Sequence, residues 1–192
     1  EITSNEAELY IESNGIICME ADHFASRRDV PGASWTVLRP YGRTGAAIKV
    51  LPPTLDCCTW TDRPYVEYRF SAEQEGEYML HLYMGPSNTA TMEHRLCFGL
   101  QLNEGTIQEI NGAGDGFRSL DLKCQEWDFN VRNNVRICSI PVCCRKGSNT
   151  LRLYGGSPLV VFERLVLHPI GIPPQASYLG PPESYLQRSR PE

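Results

Sequence analysis

The fold is decided by residues 65–84, which read YVEYRFSAEQEGEYMLHLYM. Tyr65 to Phe70 and Tyr78 to Met84 are rich in aromatic and apolar side chains and alternate largely between apolar and polar positions, which is typical of half-buried strands. Between them, Gln74-Glu75-Gly76 has the composition of a turn. The stretch therefore predicts two strands joined by a tight turn.

The same pattern recurs along most of the chain. The further predicted strands are Ile16 to Phe24, Ala46 to Leu51, Arg95 to Leu102, Val135 to Ile140, Thr150 to Tyr154 and Leu159 to His168. No segment of about 12 residues has a convincing helical period. Many short strands with frequent turns predict an all-β fold, an antiparallel β-sandwich of the jelly-roll type with long loops.

The predicted sandwich occupies residues 16–168. Residues 1–15 are interpreted as a linker or leading segment. Residues 169–192 are rich in proline and polar residues, and we expect an irregular extension that joins no strand ladder.

Composition excludes several classes of partner and chemistry. The 192 residues carry a net charge of -5, whereas nucleic-acid binding needs a basic excess. No apolar run is long enough for a membrane span, and the acidic residues 1–8 do not have the pattern of a signal peptide, so we expect neither within this sequence. The eight cysteines include no Cys-x-x-Cys, so we interpret them as small buried residues with at most one disulfide. No Gly-x-Ser-x-Gly pattern indicates a nucleophile.

Two acidic patterns fall where strand alternation predicts apolar faces. In residues 161–167, Glu163 shares a face with Leu165. In residues 16–22, Glu20 and Asp22 share a face with Ile16. A buried carboxylate must be satisfied by arginine, by backbone N–H groups or by a hard cation. Glu20, Asp22 and Glu163 are therefore candidate ligands of Ca²⁺, and arginine pairing or edge exposure is the alternative.

Aromatic side chains in or beside predicted loops form a second group: Trp35, Tyr41, Trp60, Tyr65, Trp127 and Tyr178. Sugars present C–H faces that pack on such rings and hydroxyls that bond to Arg, Asn and Asp. Burial of the ring under a loop is the alternative. The best clusters are residues 41–43 and 127–130, so we expect Tyr41 and Arg43 to face Trp127 across a shallow cleft.

The chain resembles the C-terminal domain of glycoside hydrolase family 115, a family that contains xylan α-glucuronidases. The resemblance extends from about Ile11 to Ser184 and rests on residues 14–24, 42–52, 127–136, 147–151 and 177–184. The last of these segments, SYLGPPES, is the most specific.

This resemblance implies a non-catalytic module, similar to the β-sandwich carbohydrate-binding modules of families 6 and 35, with the catalytic groups in larger upstream domains. In those modules a Glu-x-Glu of the first strand and an Asp of the last strand hold a structural Ca²⁺. These ligands correspond here to Glu20, Asp22 and Glu163. The residue types at positions 22 and 163 depart from that pattern.

The resemblance also implies sugar recognition by loop residues. Trp127 matches by its position in the family pattern, and local chemistry adds the remaining candidate ligand-binding residues, which are Tyr41, Arg43, Trp60, Asn88 and Asn133. The expected function is recognition of plant polysaccharide that bears uronic acids, as an accessory to a xylan-degrading α-glucuronidase. The expected partners are a polysaccharide or oligosaccharide and the catalytic domain of the parent enzyme, in an extracellular or periplasmic location. The alternatives are a structural or dimerisation module without sugar binding and, third, a free-standing enzyme.

Overall fold

The computed structural model describes residues 8–53, 59–89, 94–118, 124–174 and 176–188. These residues form thirteen strands, one α-helix and a 3-10 turn. The strands are β1 (Glu8–Ile11), β2 (Ile17–Glu20), β3 (Ser26–Arg28), β4 (Ser34–Leu38), β5 (Ala47–Leu51), β6 (Tyr65–Ala72), β7 (Gly76–Met84), β8 (Cys97–Leu102), β9 (Gln108–Asn111), β10 (Arg136–Cys144), β11 (Gly147–Tyr154), β12 (Phe162–Pro169) and β13 (Leu186–Arg188). Helix α1 is Gln125–Asn133, and the 3-10 turn is Trp60–Asp62.

Two sheets form the domain. The first has the strand order β13-β1-β6-β11-β8-β9, with β3 also paired to β6. The second has the order β10-β7-β12-β5-β4, with β2 also paired to β12. Among the described strands only the pair β1 and β6 is parallel. The predicted antiparallel β-sandwich is confirmed.

The stretch that predicted the fold connects the two sheets. Strand β6 lies in the first sheet and β7 in the second, and the turn between them carries the chain across. The alternating residues Tyr68, Phe70, Leu80 and Leu82 are fully buried. They belong to one apolar core between the sheets.

The sheet extends beyond the predicted range of 16–168. Strand β1 pairs with β6, and β13 pairs with β1, where Arg188 Nε lies 3.0 Å from Glu8 Oε1. The prediction that the C-terminal extension joins no strand ladder is therefore wrong for Leu186–Arg188. The reason is that β1 leaves an open sheet edge, whose backbone groups β13 satisfies.

Residues 125–133 form a helix where the sequence predicted a loop. Helix α1 ends at Asn134, which has a left-handed backbone conformation and donates its N–H to the Asn130 and Val131 carbonyls. A helix of nine residues is too short to display a clear period, so alternation and turn residues did not reveal it.

A β-bulge interrupts the predicted alternation of β12. The pairing of β12 with β7 shifts between Phe162 and Arg164, and Phe162, Leu165 and Leu167 all belong to the core. The extra residue shifts the alternation by one position. Simple alternation therefore does not hold through residues 162–164 of β12, and Glu163 is buried at 2% exposure.

None of the helices in the described part of the chain is long and apolar enough to cross a membrane. No disulfide joins two of the described cysteines, while Cys57 and Cys58 lie outside the described residues.

Candidate functional site

A tight turn before β5 approaches a buried carboxylate. Tyr41 and Gly45 exchange two backbone hydrogen bonds, of 3.2 and 3.1 Å. Gly42 has a φ of +62°, and a Cβ added there would lie 2.3 Å from the Glu163 carboxyl group. Only glycine permits this approach. The turn thereby brings the Arg43 backbone N–H to Glu163 Oε2, at 3.1 Å.

Only one of the two carboxylate oxygens of Glu163 accepts a hydrogen bond from a described residue. Its Oε2 accepts the Arg43 N–H, while its buried Oε1 has no hydrogen-bond partner among the described residues. Desolvation raises the pKa of Glu163, and the nearby Glu20 charge adds to this, against the opposing effects of Arg43 and Arg164. An orphaned buried oxygen of this kind suits a proton or a cation.

The other two predicted metal ligands have partners. Glu20 accepts the Thr44 hydroxyl at 2.9 Å and pairs with Arg164 Nη2. Asp22 pairs with Arg39. The structure thus brings Glu20 near Glu163 and places Asp22 against Arg39, as the arginine alternative expected.

A calcium ion fits this arrangement only in part. Glu163 Oε1 is available to a hard cation, but both oxygens of Glu20 are engaged by Arg164 and Thr44. Within the described ranges, no group of three or more His, Cys, Asp or Glu side chains is arranged to hold a metal ion. The calcium site stays a prediction.

The C-terminal extension packs across the second sheet. We call residues 169–174 the proximal strap and residues 176–184 the distal strap. Arg164 Nη1 donates to the Leu179 and Pro181 carbonyls, at 2.5 and 2.8 Å. Cys18 and Ser184 are joined by two hydrogen bonds, of 2.9 and 2.8 Å. The SYLGPPES segment is therefore the part of the chain that binds β2 and β12.

Glu183 fastens the end of the distal strap. Its Oε1 accepts the Tyr10 hydroxyl at 3.1 Å and the Glu20 N–H at 3.0 Å, and it lies 2.9 Å from His23 Nδ1. Partial burial lowers the pKa of His23, but the hydrogen bond and charge of Glu183 outweigh this, and the pKa is raised.

Arg43 lies at the centre of an exposed cluster with Asn133 and Tyr178. Its Nε donates to the Asn133 carbonyl at 2.7 Å, its Nη1 donates to the Tyr178 carbonyl, and its guanidinium carbon lies 4.1 Å from the centre of the Tyr178 ring. The Tyr178 residue is 59% exposed. Sequence reasoning placed Tyr178 among the loop aromatics but gave no signal for its contact with Arg43, because 135 positions separate them.

Trp127 does not face Arg43. Its ring centre lies 6.4 Å from that of Phe117, and the partly buried side chain packs against the core. The structure places Asn133, at the other end of α1, against Arg43 instead. The expected cleft between Arg43 and Trp127 is replaced by this contact, because the segment is helical and turns Trp127 inward.

The remaining predicted ligand-binding residues are not part of the cluster around Arg43. Tyr41 is half-buried, with its hydroxyl 2.5 Å from a Cβ added at Gly85. Trp60 lies beside Gly99, where an added Cβ would come within 2.9 Å of its ring, and the guanidinium carbon of Arg63 is 4.6 Å from the ring centre. Asn88 is exposed.

Comparison with known proteins identifies the family and the fold. The model of the glycosyl hydrolase family 115 C-terminal domain matches residues 9–183. The structure is similar to BtGH115A, a family GH115 4-O-methyl-α-glucuronidase with specificity for decorated arabinogalactans, with a TM-score of 0.53 and 15% identity over 77% of this chain and 18% of that one. Comparison with the curated proteins gave no match.

Two further enzymes contain a similar domain. An exo-β-1,3-galactanase from Phanerochaete chrysosporium has a TM-score of 0.52 and 15% identity over 79% of this chain and 29% of that one. A GH26-CBM35 β-(1,4)-mannanase from Podospora anserina has a TM-score of 0.50 and 13% identity over 85% of this chain and 29% of that one. At such identities the similarity shows the fold alone. This chain spans 18 to 29% of the lengths of the three enzymes.

Proposed function

Because the chain belongs to the family of glycosyl hydrolase family 115 C-terminal domains, we propose that it is a non-catalytic carbohydrate-binding module that accompanies a xylan-degrading α-glucuronidase. Its ligand is plant polysaccharide that bears uronic acids, and its covalent partner is the catalytic domain of the parent enzyme. A sandwich fold similar to domains of glucuronidase, galactanase and mannanase enzymes supports this proposal.

The observation that carries the proposal is the cluster of Arg43, Asn133 and Tyr178. The Asn133 and Tyr178 carbonyls fix the Arg43 guanidinium and leave its Nη2 without a partner among the described residues. A guanidinium pairs well with a carboxylate such as that of a uronic acid. Arg43 covers one face of the Tyr178 ring, and the ring's remaining exposed surface is where a pyranose would pack.

Binding measurements with matched variants test this site. Calorimetric titration of the purified domain compares glucuronoxylan, unsubstituted xylan and decorated arabinogalactan. We expect dissociation constants on the order of micromolar to millimolar, which correspond to about -8 to -4 kcal/mol. Tyr178→Ala should weaken binding by about tenfold or more, the loss of roughly one stacking contact.

The control is Tyr185→Ala, which removes a ring of the same tail that is 74% exposed but lies outside the cluster. It should bind like the parent. Arg43→Lys should weaken binding to the acidic glycans more than to unsubstituted xylan, because an ammonium group cannot be held by both carbonyls and still present a fixed N–H to the uronate carboxylate. Failure of the folded parent domain to bind any of these glycans contradicts the proposal.

A structural or dimerisation module is the second candidate. Large apolar side chains are exposed on α1 and the strap, namely Phe129 (62%), Val131 (51%), Ile170 (47%), Ile172 (59%) and Leu179 (54%). Exposed apolar surface of this kind is typical of contacts with another domain or subunit. Light scattering that detects a dimer, together with absent glycan binding, would favour this alternative.

A further inference from the structure

A groove lies between the strap and the second sheet. Its volume of about 330 Å³ is near the lower end of the range of roughly 300 to 1,000 Å³ that is typical of small-molecule sites. The sheet contributes Tyr83 of β7 and Ile137 and Ser139 of β10 to the lining. The strap contributes Pro173 from its proximal part and Ser177 from its distal part. The groove therefore exists because the C-terminal extension crosses these strands.

One turn of the distal strap lies between the groove and the cluster around Arg43. The Gly180 N–H donates to the Ser177 carbonyl at 3.3 Å, and the Ser177 hydroxyl donates to the Gly180 carbonyl at 3.2 Å. Ser177 and Gly180, the two ends of this turn, line the groove. Tyr178, inside the turn, contacts Arg43 through its carbonyl and its ring. The groove and the cluster are thus adjacent, so one extended ligand can contact both.

The Tyr83 hydroxyl is available to a ligand in the groove. No hydrogen bond joins it to any residue that the structure describes, and it lies 3.4 Å from the position of a Cβ added at Gly180. Desolvation raises the pKa of Tyr83 against the opposing charges of Arg164 and Arg43, so the phenol keeps its proton at neutral pH. The hydroxyl can therefore donate one hydrogen bond to a ligand and accept another.

The rest of the groove combines a second hydroxyl with apolar surface. The exposed Ser139 shares one hydrogen bond with His81 Nδ1, at 2.7 Å, and a hydroxyl has one donor and two acceptor positions, so capacity for a ligand remains. Ile137 is 46% exposed. None of the described residues that line the groove is Asp, Glu, Lys or Arg. Uncharged hydroxyls beside apolar surface match a neutral pyranose, because it presents both hydroxyls and C–H faces.

We propose that the groove is a subsite for a neutral sugar linked to the uronic acid that Arg43 binds, so that the domain recognises an acidic oligosaccharide rather than a free uronic acid. This inference rests on the proposed function of the cluster around Arg43. The cation of the cluster takes the carboxylate of the ligand. The neutral sugar exchanges hydrogen bonds with Tyr83 and Ser139 and packs on Ile137 and Pro173.

Calorimetric titration of the domain with two acidic ligands tests the subsite. The first is glucuronic acid, and the second is a xylo-oligosaccharide that carries one glucuronic acid. The free acid contacts the cluster around Arg43 alone, whereas the oligosaccharide also fills the groove. We therefore expect the oligosaccharide to bind about tenfold more tightly or better, as for one or two additional hydrogen bonds. Equal dissociation constants for the two ligands would overturn the subsite and leave the uronate site at Arg43 intact.

Variants of the groove separate its contribution from that of the cluster. Tyr83→Phe removes the hydroxyl and keeps the ring, and it should weaken binding of the acidic oligosaccharide by about threefold to tenfold, the loss of one hydrogen bond. Tyr185→Phe is the matched control, because the Tyr185 hydroxyl lies outside the groove, and it should bind like the parent. Ser139→Leu places a larger side chain in the groove and should reduce the affinity for the oligosaccharide to that for the free acid.

Methyl NMR of the parent domain locates the ligand. The Ile137 methyl signals should shift when the acidic oligosaccharide is added and stay in place with the free acid, while those of Ile110 on β9 of the first sheet should move with neither. A folded Ser139→Leu variant that binds the oligosaccharide as tightly as the parent, or oligosaccharide binding that leaves Ile137 unshifted, would overturn the subsite alone. A parent domain that binds neither acidic ligand would overturn the subsite and the proposed function together.

Discussion

Two buried glutamates on opposite sheets differ in how folding satisfies them. Glu67 on β6 is 4% exposed, and its Oε1 and Oε2 pair with Arg69 at 2.8 Å and with Arg152 at 2.8 Å. Glu163 on β12 is 2% exposed but receives one backbone N–H and has one oxygen without a partner. The two side chains are buried to nearly the same extent, but Glu67 has more hydrogen-bond donors around its carboxylate than Glu163 has.

The difference appears in the pKa values of the two carboxyl groups. Burial of Glu67 acts to raise its pKa, but the hydrogen bonds and charges of Arg152 and Arg69 outweigh it, and the pKa is lowered. Desolvation prevails at Glu163, and its pKa is raised. Glu67 is thus a completed structural ion pair, whereas Glu163 has room for one more partner, either a cation or a proton.

Calcium binding would have the largest effect, and it would involve Glu163 and not Glu67. If Ca²⁺ binds the folded domain at Glu163 and Glu20, the free energy of unfolding should rise by about 2.7 kcal/mol at a concentration one hundred times the dissociation constant. The melting temperature in millimolar Ca²⁺ is compared with that in chelator. Glu163→Gln should abolish the response, and Glu67→Gln should retain it. A parent domain that melts at the same temperature in both solutions has no calcium site.

Removing the charge of Glu67 should destabilise the domain. Glu67→Gln removes the anion that Arg69 and Arg152 share and keeps one carbonyl oxygen as an acceptor, at a cost of about 2 kcal/mol. This is less than for a fully buried pair, because the Arg69 and Arg152 side chains are 20% and 34% exposed. Urea unfolding at neutral pH measures the loss. The control is Glu104→Gln, whose pair with Arg145 is exposed on both sides and should contribute nothing measurable. Equal stability of the Glu67 variant and the parent would show that the Glu67 pairs are dispensable.

The contrast between Glu67 and Glu163 shows the reach of sequence reasoning. Alternation located eight of the thirteen described strands, namely β2, β5 to β8 and β10 to β12. It also identified the core positions of β6 and β7, because a period of two is visible in local sequence. It also identified Glu163 as a buried carboxylate. It could not predict the bulge at Phe162 and Arg164, which depends on the neighbouring strand β7.

The candidate site was less accessible to prediction. Arg43 was singled out correctly as a group with exposed chemistry, but its partners Asn133 and Tyr178 come from α1 and the strap. The short strands β1 and β13 were missed because they are strands only through their pairing with each other and with β6, which the local sequence does not reveal. Contacts between distant segments follow from packing, which local patterns do not encode.

The free energy of unfolding at acid pH should respond differently to Glu67 and to Glu163. Glu67, with a lowered folded pKa, contributes stability that is present above the ordinary value of 4.5 and is lost as the pH falls through the folded pKa. Glu163, with a raised folded pKa, imposes a cost that begins above 4.5 and grows until the folded pKa is passed. Urea unfolding from about pH 3 to about pH 7 should show a flatter acid limb for Glu67→Gln than for the parent. If the stability of Glu67→Gln and of the parent falls equally at acid pH, other groups cause the acid sensitivity.

The smallest effect should come from Glu163→Gln in the presence of chelator. The amide oxygen still accepts the Arg43 N–H, the amide nitrogen can donate toward the Glu20 carboxylate, and the side chain has nearly the same size beside Gly42. Because the variant removes a buried charge with an unsatisfied oxygen, unfolding at neutral pH should change by less than about 1 kcal/mol, in the stabilising direction. The difference should shrink as the pH falls and the parent carboxyl takes up a proton. A loss of about 2 kcal/mol or more, similar to that of Glu67→Gln, would mean that the charged form of Glu163 is satisfied as completely as Glu67, and the contrast between the two sheets would disappear.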